Sequence, residues 1–433
     1  MEIDPQAATD SVSPGPALPG RRIAATWLAL RAGWPHRPAR ERRRMARRAG
    51  LAANALWRRG VDLLRTPLDL LPLDVAPAAG AAPPPAPPAA VPQSRDVLLD
   101  ALAAWRSVAR DEVGPVESMV FLRGVLDGET MDRAAFRFAA AQVERRALRL
   151  AARRARAVYR LESRLAAAGR PEIVGRWSPD PALPAVLLAR AVAEAEAAPG
   201  ARELKRTPRI RVTRADLFGR DVAIKRYEAP RGFLRLKYRF RASRARRAWA
   251  AARTLQRAGL PTPEPLGVLE WRRGRDRGAG CYIADYVDGA VTLHEAARQG
   301  YAGWTRADRD RLRRAVADLL LRLQGRGILH RDTKASNLLY RPAARAPRDG
   351  ASIWVTDLEC VQAGRVASRH DWVRSLVQLN GSLRRIVGAA ERRRFLRDLA
   401  PALPWALAPP VARRIEAWTR RRLDREVRRA CGG

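Results

Sequence analysis

One run holds the densest chemistry in the chain: Gly327-Ile328-Leu329-His330-Arg331-Asp332-Thr333-Lys334-Ala335-Ser336-Asn337-Leu338-Leu339. An aspartate after His-Arg, with an asparagine five residues on, suits transfer of a phosphoryl group to a hydroxyl. One carboxylate must accept or orient the proton of the attacking hydroxyl, and a nearby amide oxygen must ligate a Mg2+ ion that bridges the phosphates. Asp332 and Asn337 fit those two roles, and Lys334 between them is placed to offset charge on the moving group. Further on, Ile353-Trp354-Val355-Thr356-Asp357-Leu358-Glu359 is a short β-rich run that delivers Asp357, the expected second metal ligand. Upstream, Val222-Ala223-Ile224-Lys225 matches the strand motif whose lysine holds the α and β phosphates of ATP.

Residue scarcity sharpens the pattern. Of 83 basic residues only four are lysine, namely Lys205, Lys225, Lys237 and Lys334, so arginine was acceptable nearly everywhere else. Two of those four sit where phosphate chemistry wants a compact ammonium. Asparagine occurs only as Asn54, Asn337 and Asn380.

These residues need a scaffold, and the periodicity changes along the chain in a way that supplies one. Residues 209–213 and 221–226 read as strands joined by the turn Leu217-Phe218-Gly219-Arg220. Ser243 to Ala258 reads as a helix with Trp249, Ala252 and Leu255 inward, ended by Gly259. Two more strands follow near 264–270 and 281–286, then a helix capped by Thr305 with Asp308 at its third position. Strands with one inserted helix, then a helical half, give an α+β, two-lobed protein-kinase-like fold, with a strand-rich lobe over 200–284 and a helical lobe over 285–433.

The preceding part reads as a mostly helical extension. Residues 1–20 are rich in Pro, Ser and Gly and read as a disordered tail. Residues 21–74 interleave Trp27, Trp34 and Trp57 with an arginine cluster, as either an amphipathic segment on an anionic membrane surface or a solvated basic arm. Residues 75–93 form an Ala/Pro linker, and 94–199 read as an all-helical module without recognisable chemistry. Its main helix runs from about Asp132 to Ala168, with another from Pro184 to Glu196.

Composition narrows the class. The net charge of +39 attracts polyanions, although the Arg/Ala/Gly/Pro bias accounts for part of it. No recognised nucleic-acid module accompanies the charge. Cys281, Cys360 and Cys431 are too scattered for a zinc site or a disulfide framework, which suits a reducing cytoplasm. The sequence shows no signal-peptide pattern and no apolar run long enough to span a membrane.

Four stretches together resemble the lipopolysaccharide kinase (Kdo/WaaP) family: Lys225-Arg226-Tyr227, Ala258-Gly259-Leu260-Pro261-Thr262-Pro263-Glu264-Pro265-Leu266, His330 to Asn337, and Asp357-Leu358-Glu359. The resemblance covers residues 200–385. It implies phosphorylation of lipopolysaccharide core sugars with ATP at the cytoplasmic face of the inner membrane. It also implies Asp332 as base, Asn337 and Asp357 on Mg2+, Lys225 on ATP, and a hinge through Asp285, Tyr286 and Val287 whose backbone meets the adenine. Two features depart from the pattern. No GxGxxG precedes Lys225, and Ala248 stands where a helix glutamate often pairs the ATP lysine. Glu359 reads as either a third acid near the metal or the replacement for the glycine that follows the metal-binding Asp, with the second reading favoured. No Ala-Pro-Glu follows Asp357, and the next helix begins near Asp371, so a glycolipid or other small-molecule acceptor fits better than a peptide. A protein or other small-molecule kinase, and a non-catalytic scaffold, are the alternatives.

Overall fold

A computed structural model describes residues 38–58, 95–109, 115–126, 132–166, 172–229, 242–273, 276–341 and 353–431. The expected tail over 1–20 and linker over 75–93 lie outside the described residues, as does Lys237. Contacts divide the chain into two units, Met1–Ala151 and Ala152–Gly433.

The first unit is helical: α1 (Ala39–Arg58), α2 (Arg95–Ala109), α3 (Pro115–Val125) and the first part of α4 (Arg133–Leu165). Asp132 starts α4 by accepting from the Ala134 and Ala135 amides at 2.7 and 2.9 Å. Leu98, Leu102, Trp105, Phe121, Phe136 and Val143 form its core. Ala46 and Ala49 of α1 are buried in that core with Met45 packed against it.

The second unit has two lobes. Its sheet comprises β1 (Ile173–Trp177), β2 (Arg202–Thr207), β3 (Ile210–Leu217), β4 (Arg220–Tyr227), β5 (Pro265–Trp271) and β6 (Gly280–Asp285), in the order β1-β5-β6-β4-β3-β2. All its pairings are antiparallel. Strand β1 corrects the all-helical reading of 94–199, whereas helix α5 (Ala185–Ala197) stands where a helix over Pro184–Glu196 was expected. The strand pairs β5 at the sheet edge, and α5 buries Leu188 and Val192 against the sheet's outer face with Val222, Ile224 and Ile283. Five residues are too few for alternation to show, so the sequence hid β1.

Strand alternation splits β4 between two environments. Val222 and Ile224 face α5, whereas Lys225 and Tyr227 lie on the inner face. Helix α6 (Arg244–Arg257) packs against that inner side, burying Ala248, Trp249, Ala252 and Leu255. Ser243 caps it by accepting from the Arg246 amide at 3.1 Å.

The helical lobe contains α7 (Leu293–Gly300), α8 (Arg306–Gly325), α9 (Arg369–Leu383), α10 (Ala389–Leu399) and α11 (Pro409–Cys431). Thr305 caps α8 through the Asp308 amide, as the sequence implies. Between the helices run β7 (Val291–Thr292), β8 (Ile328–His330), β9 (Leu338–Tyr340), β10 (Ile353–Val355) and β11 (Val361–Ala363), forming the sheets β10-β9-β7 and β11-β8. Gly327 leads into β8 at φ +66°, and a Cβ there would fall 2.3 Å from the Ala152 Cα, so only glycine fits. Helix α9 begins at Arg369, capped by a Ser368–Asp371 box, two residues earlier than expected. Among the described residues, no helix is long and apolar enough to cross a membrane.

Candidate active site

The catalytic loop lies between β8 and β9, held from several sides. The Asp332 amide donates to His330 Nδ1 at 3.2 Å, which leaves Nε2–H to donate to the Thr356 carbonyl at 2.9 Å. Burial holds the His330 pKa below the ordinary imidazole value, which favours the neutral ring that both bonds require. From α9, Gln378 Oε1 accepts from the Thr333 amide at 2.9 Å and its Nε2 donates to the Arg331 carbonyl at 2.9 Å. One turn along α9, Ser382 accepts from the Ala335 amide at 3.0 Å. Sequence reading missed both residues. Their signal was no more than a pair of polar side chains four apart on α9.

The three residues proposed for the loop come together. Asn337 Nδ2 donates to the Asp332 carbonyl at 2.8 Å and to its carboxylate at 3.1 Å, while Lys334 Nζ lies 3.2 Å from that carboxylate. With its nitrogen so engaged, Asn337 has its amide oxygen left to meet a cation. The Thr356 amide donates to the Asn337 carbonyl at 3.0 Å, which sets Asp357 beside Asn337. Asp357 adopts the left-handed conformation, φ 57°, at the start of a 3-10 turn over Leu358–Cys360. Leu358 is buried in the core shared with α6.

Lys225 reaches this group from the sheet. Its ammonium bonds Asp357 and lies 2.9 Å from Glu359, which is 4% exposed and also accepts from the Tyr227 hydroxyl at 3.0 Å. Burial works against the charged lysine, but attraction from Glu359 and Asp357 outweighs it and holds its pKa above the ordinary lysine value. Burial likewise pushes the Asp357 carboxyl up, and Lys225 more than cancels this. Glu359 is therefore not a mere stand-in for a glycine. It supplies the carboxylate that α6 lacks, since Ala248 is fully buried and α6 carries no acid.

The hinge residues follow β6. The Asp285 amide donates to the Glu264 carbonyl and the Tyr286 amide to the Asp221 carbonyl, both at 2.9 Å, whereas the Val287 amide has no backbone acceptor among the described residues. Arg220 braces Asp285 at 3.1 Å, and the Arg214 guanidinium lies 4.0 Å over the Tyr286 ring. Of the α6 arginines, Arg246 pairs Glu270 at 3.6 Å and Arg244 lies 5.7 Å from the Tyr227 ring centre. These contacts engage them internally.

Among the described residues, no cluster of three His, Cys, Asp or Glu could hold a metal alone. Mg2+ needs only one or two protein oxygens when phosphates and water complete its shell. Asn337 and Asp357, whose segments are joined by the bond from the Thr356 amide to the Asn337 carbonyl, offer hard oxygens of that kind.

No curated protein sequence matches the chain. A solved structure described as WaaP in complex with acyl carrier protein is similar, with TM-score 0.39 and 20% identity, covering 50% of this chain and 88% of that one. Residues 209–398, which carry Lys225, the catalytic loop and Asp357, match the model of the lipopolysaccharide kinase (Kdo/WaaP) family, and it is this family that the cleft-bearing region resembles.

Proposed function

We propose that the second unit transfers the γ-phosphoryl group of ATP, with Mg2+, to a sugar hydroxyl of a lipopolysaccharide core or related glycolipid. The observation that carries this reading is the pair of contact groups Asp332–Lys334–Asn337 and Lys225–Asp357–Glu359, tied together by the bond from the Thr356 amide to the Asn337 carbonyl. Asp332, fixed at its backbone by His330 and at its carboxylate by Asn337, orients the acceptor hydroxyl and takes its proton. Lys334 lies beside that carboxylate and meets the charge of the transferring group. Lys225 binds the α and β phosphates, and the Val287 amide meets the adenine. Mg2+ at Asn337 and Asp357 supplies charge neutralisation across the phosphate oxygens.

The acceptor class rests on the short path from Asp357 to α9. After the 3-10 turn and β11, only residues 364–367 precede the Ser368 cap, too little for a platform that grips an extended peptide. A glycolipid acceptor implies work at the cytoplasmic membrane surface. The test is labelled ATP with Mg2+ and an extracted glycolipid fraction, using wild type beside Asp332→Asn. Label in the glycolipid with wild type only is expected. Nucleotide binding without transfer by either protein, with protein acceptors also tried, would remove the enzyme reading in favour of a scaffold.

A further inference from the structure

The strand before Lys225 carries another lysine on the same face. In β2, Glu203 pairs Thr213 but Lys205 pairs Val212, so the register slips by one residue at Leu204. Simple alternation would turn Lys205 to the outer face with Arg211. The bulge instead re-aims it to the face of Val212, whose partner on the other side is Lys225. Two strand spacings separate the lysine backbones, about 10 Å. Lys205 is exposed and makes no hydrogen bond or ion pair among the described residues.

The neighbouring hairpin explains why a side chain is needed there. In kinases a glycine-rich turn between the first two strands covers the phosphates with backbone amides. The corresponding turn here is Thr207-Pro208-Arg209-Ile210. Pro208 has no N–H, and the Ile210 and Arg209 amides donate to the Thr207 hydroxyl at 3.1 and 3.4 Å. The tip therefore has no amide cradle to offer. The glycine-bearing turn at Gly219 joins β3 to β4, one hairpin later.

We propose that Lys205 is a phosphate-binding residue of the nucleotide site, an ammonium hung from the sheet in place of the missing amide cradle. The proposal rests on the ATP-site reading above. Lys205 precedes the segment matched by the family model, so that match assigns it nothing. A compact, rotatable ammonium suits phosphate oxygens approached from several directions, which accounts for a lysine in a chain that otherwise uses arginine.

The test measures binding of ATP, ADP and adenosine, each with Mg2+, to wild type, Lys205→Ala and Lys205→Arg, with thermal midpoints. Loss of one charge-assisted contact predicts about tenfold weaker ATP binding in Lys205→Ala, unchanged adenosine binding and an unchanged midpoint. Lys205→Arg should recover part of the ATP affinity. Unchanged ATP affinity in Lys205→Ala, or equal losses for ATP and adenosine, would overturn the proposal while leaving the kinase reading intact. A wild-type protein that binds none of the three would overturn both.

Discussion

The two carboxylates on Lys225 make Glu359→Gln the most informative substitution. In the structure Lys225 is shared between Asp357 and Glu359. With Asp357 on a metal ion, as proposed above, Glu359 alone would remain to hold the ammonium against the phosphates. The isosteric amide removes that charge without leaving a cavity. A hydrogen bond to a charged group contributes about 1.5–3 kcal/mol. The larger cost of leaving a buried charge unpaired does not apply in the free protein, where Asp357 still neutralises Lys225. A loss of about 2 kcal/mol in the nucleotide complex corresponds to a roughly 30-fold fall in kcat/KM for ATP. The thermal midpoint should fall by only about 3 °C, for about 1 kcal/mol of stability. The assay is phosphotransfer with varied ATP, beside thermal melting. Tyr227→Phe should weaken the same step less, and the double variant should fall short of the summed losses because both act through one carboxylate. Glu359→Gln with unchanged kcat and KM for ATP would refute the idea that Glu359 anchors the working lysine.

Two further outcomes follow from the held catalytic loop. His330 has a folded pKa below the free value of about 6.5, so on acidification the unfolded chain takes up the proton first. Its contribution to stability is full above about pH 6.5 and is lost as the pH falls from there towards the folded pKa. Thermal midpoints from pH 8 to 5 should fall more steeply for wild type than for His330→Asn, and equal slopes would clear His330 as the cause. Gln378→Ala frees the Thr333 amide and the Arg331 carbonyl, and a misplaced Asp332 should lower kcat by about 100-fold with KM for ATP little changed. Steady-state kinetics with saturating acceptor separates the two constants, and an unchanged kcat would show that the loop keeps its shape without α9.

The sequence by itself singled out the candidate chemical groups, because the proposed phosphoryl transfer needs particular functional groups at short, fixed spacing. Asp332, Lys334 and Asn337 share one loop, and Lys225 sits on a strand whose alternation is visible in Val222 and Ile224. The caps Ser243 and Thr305 were equally legible, since capping is local hydrogen bonding. Tertiary structure decided what depends on distant segments. The partner of Lys225 lies 134 residues away, and no local rule distinguishes that role for Glu359 from a loop filler. The bulge at Leu204 reverses the side of Lys205 without any glycine to announce it. Gln378 and Ser382 read as ordinary helix residues until α9 is laid under the catalytic loop, where their polar ends satisfy backbone groups that would otherwise be buried without partners.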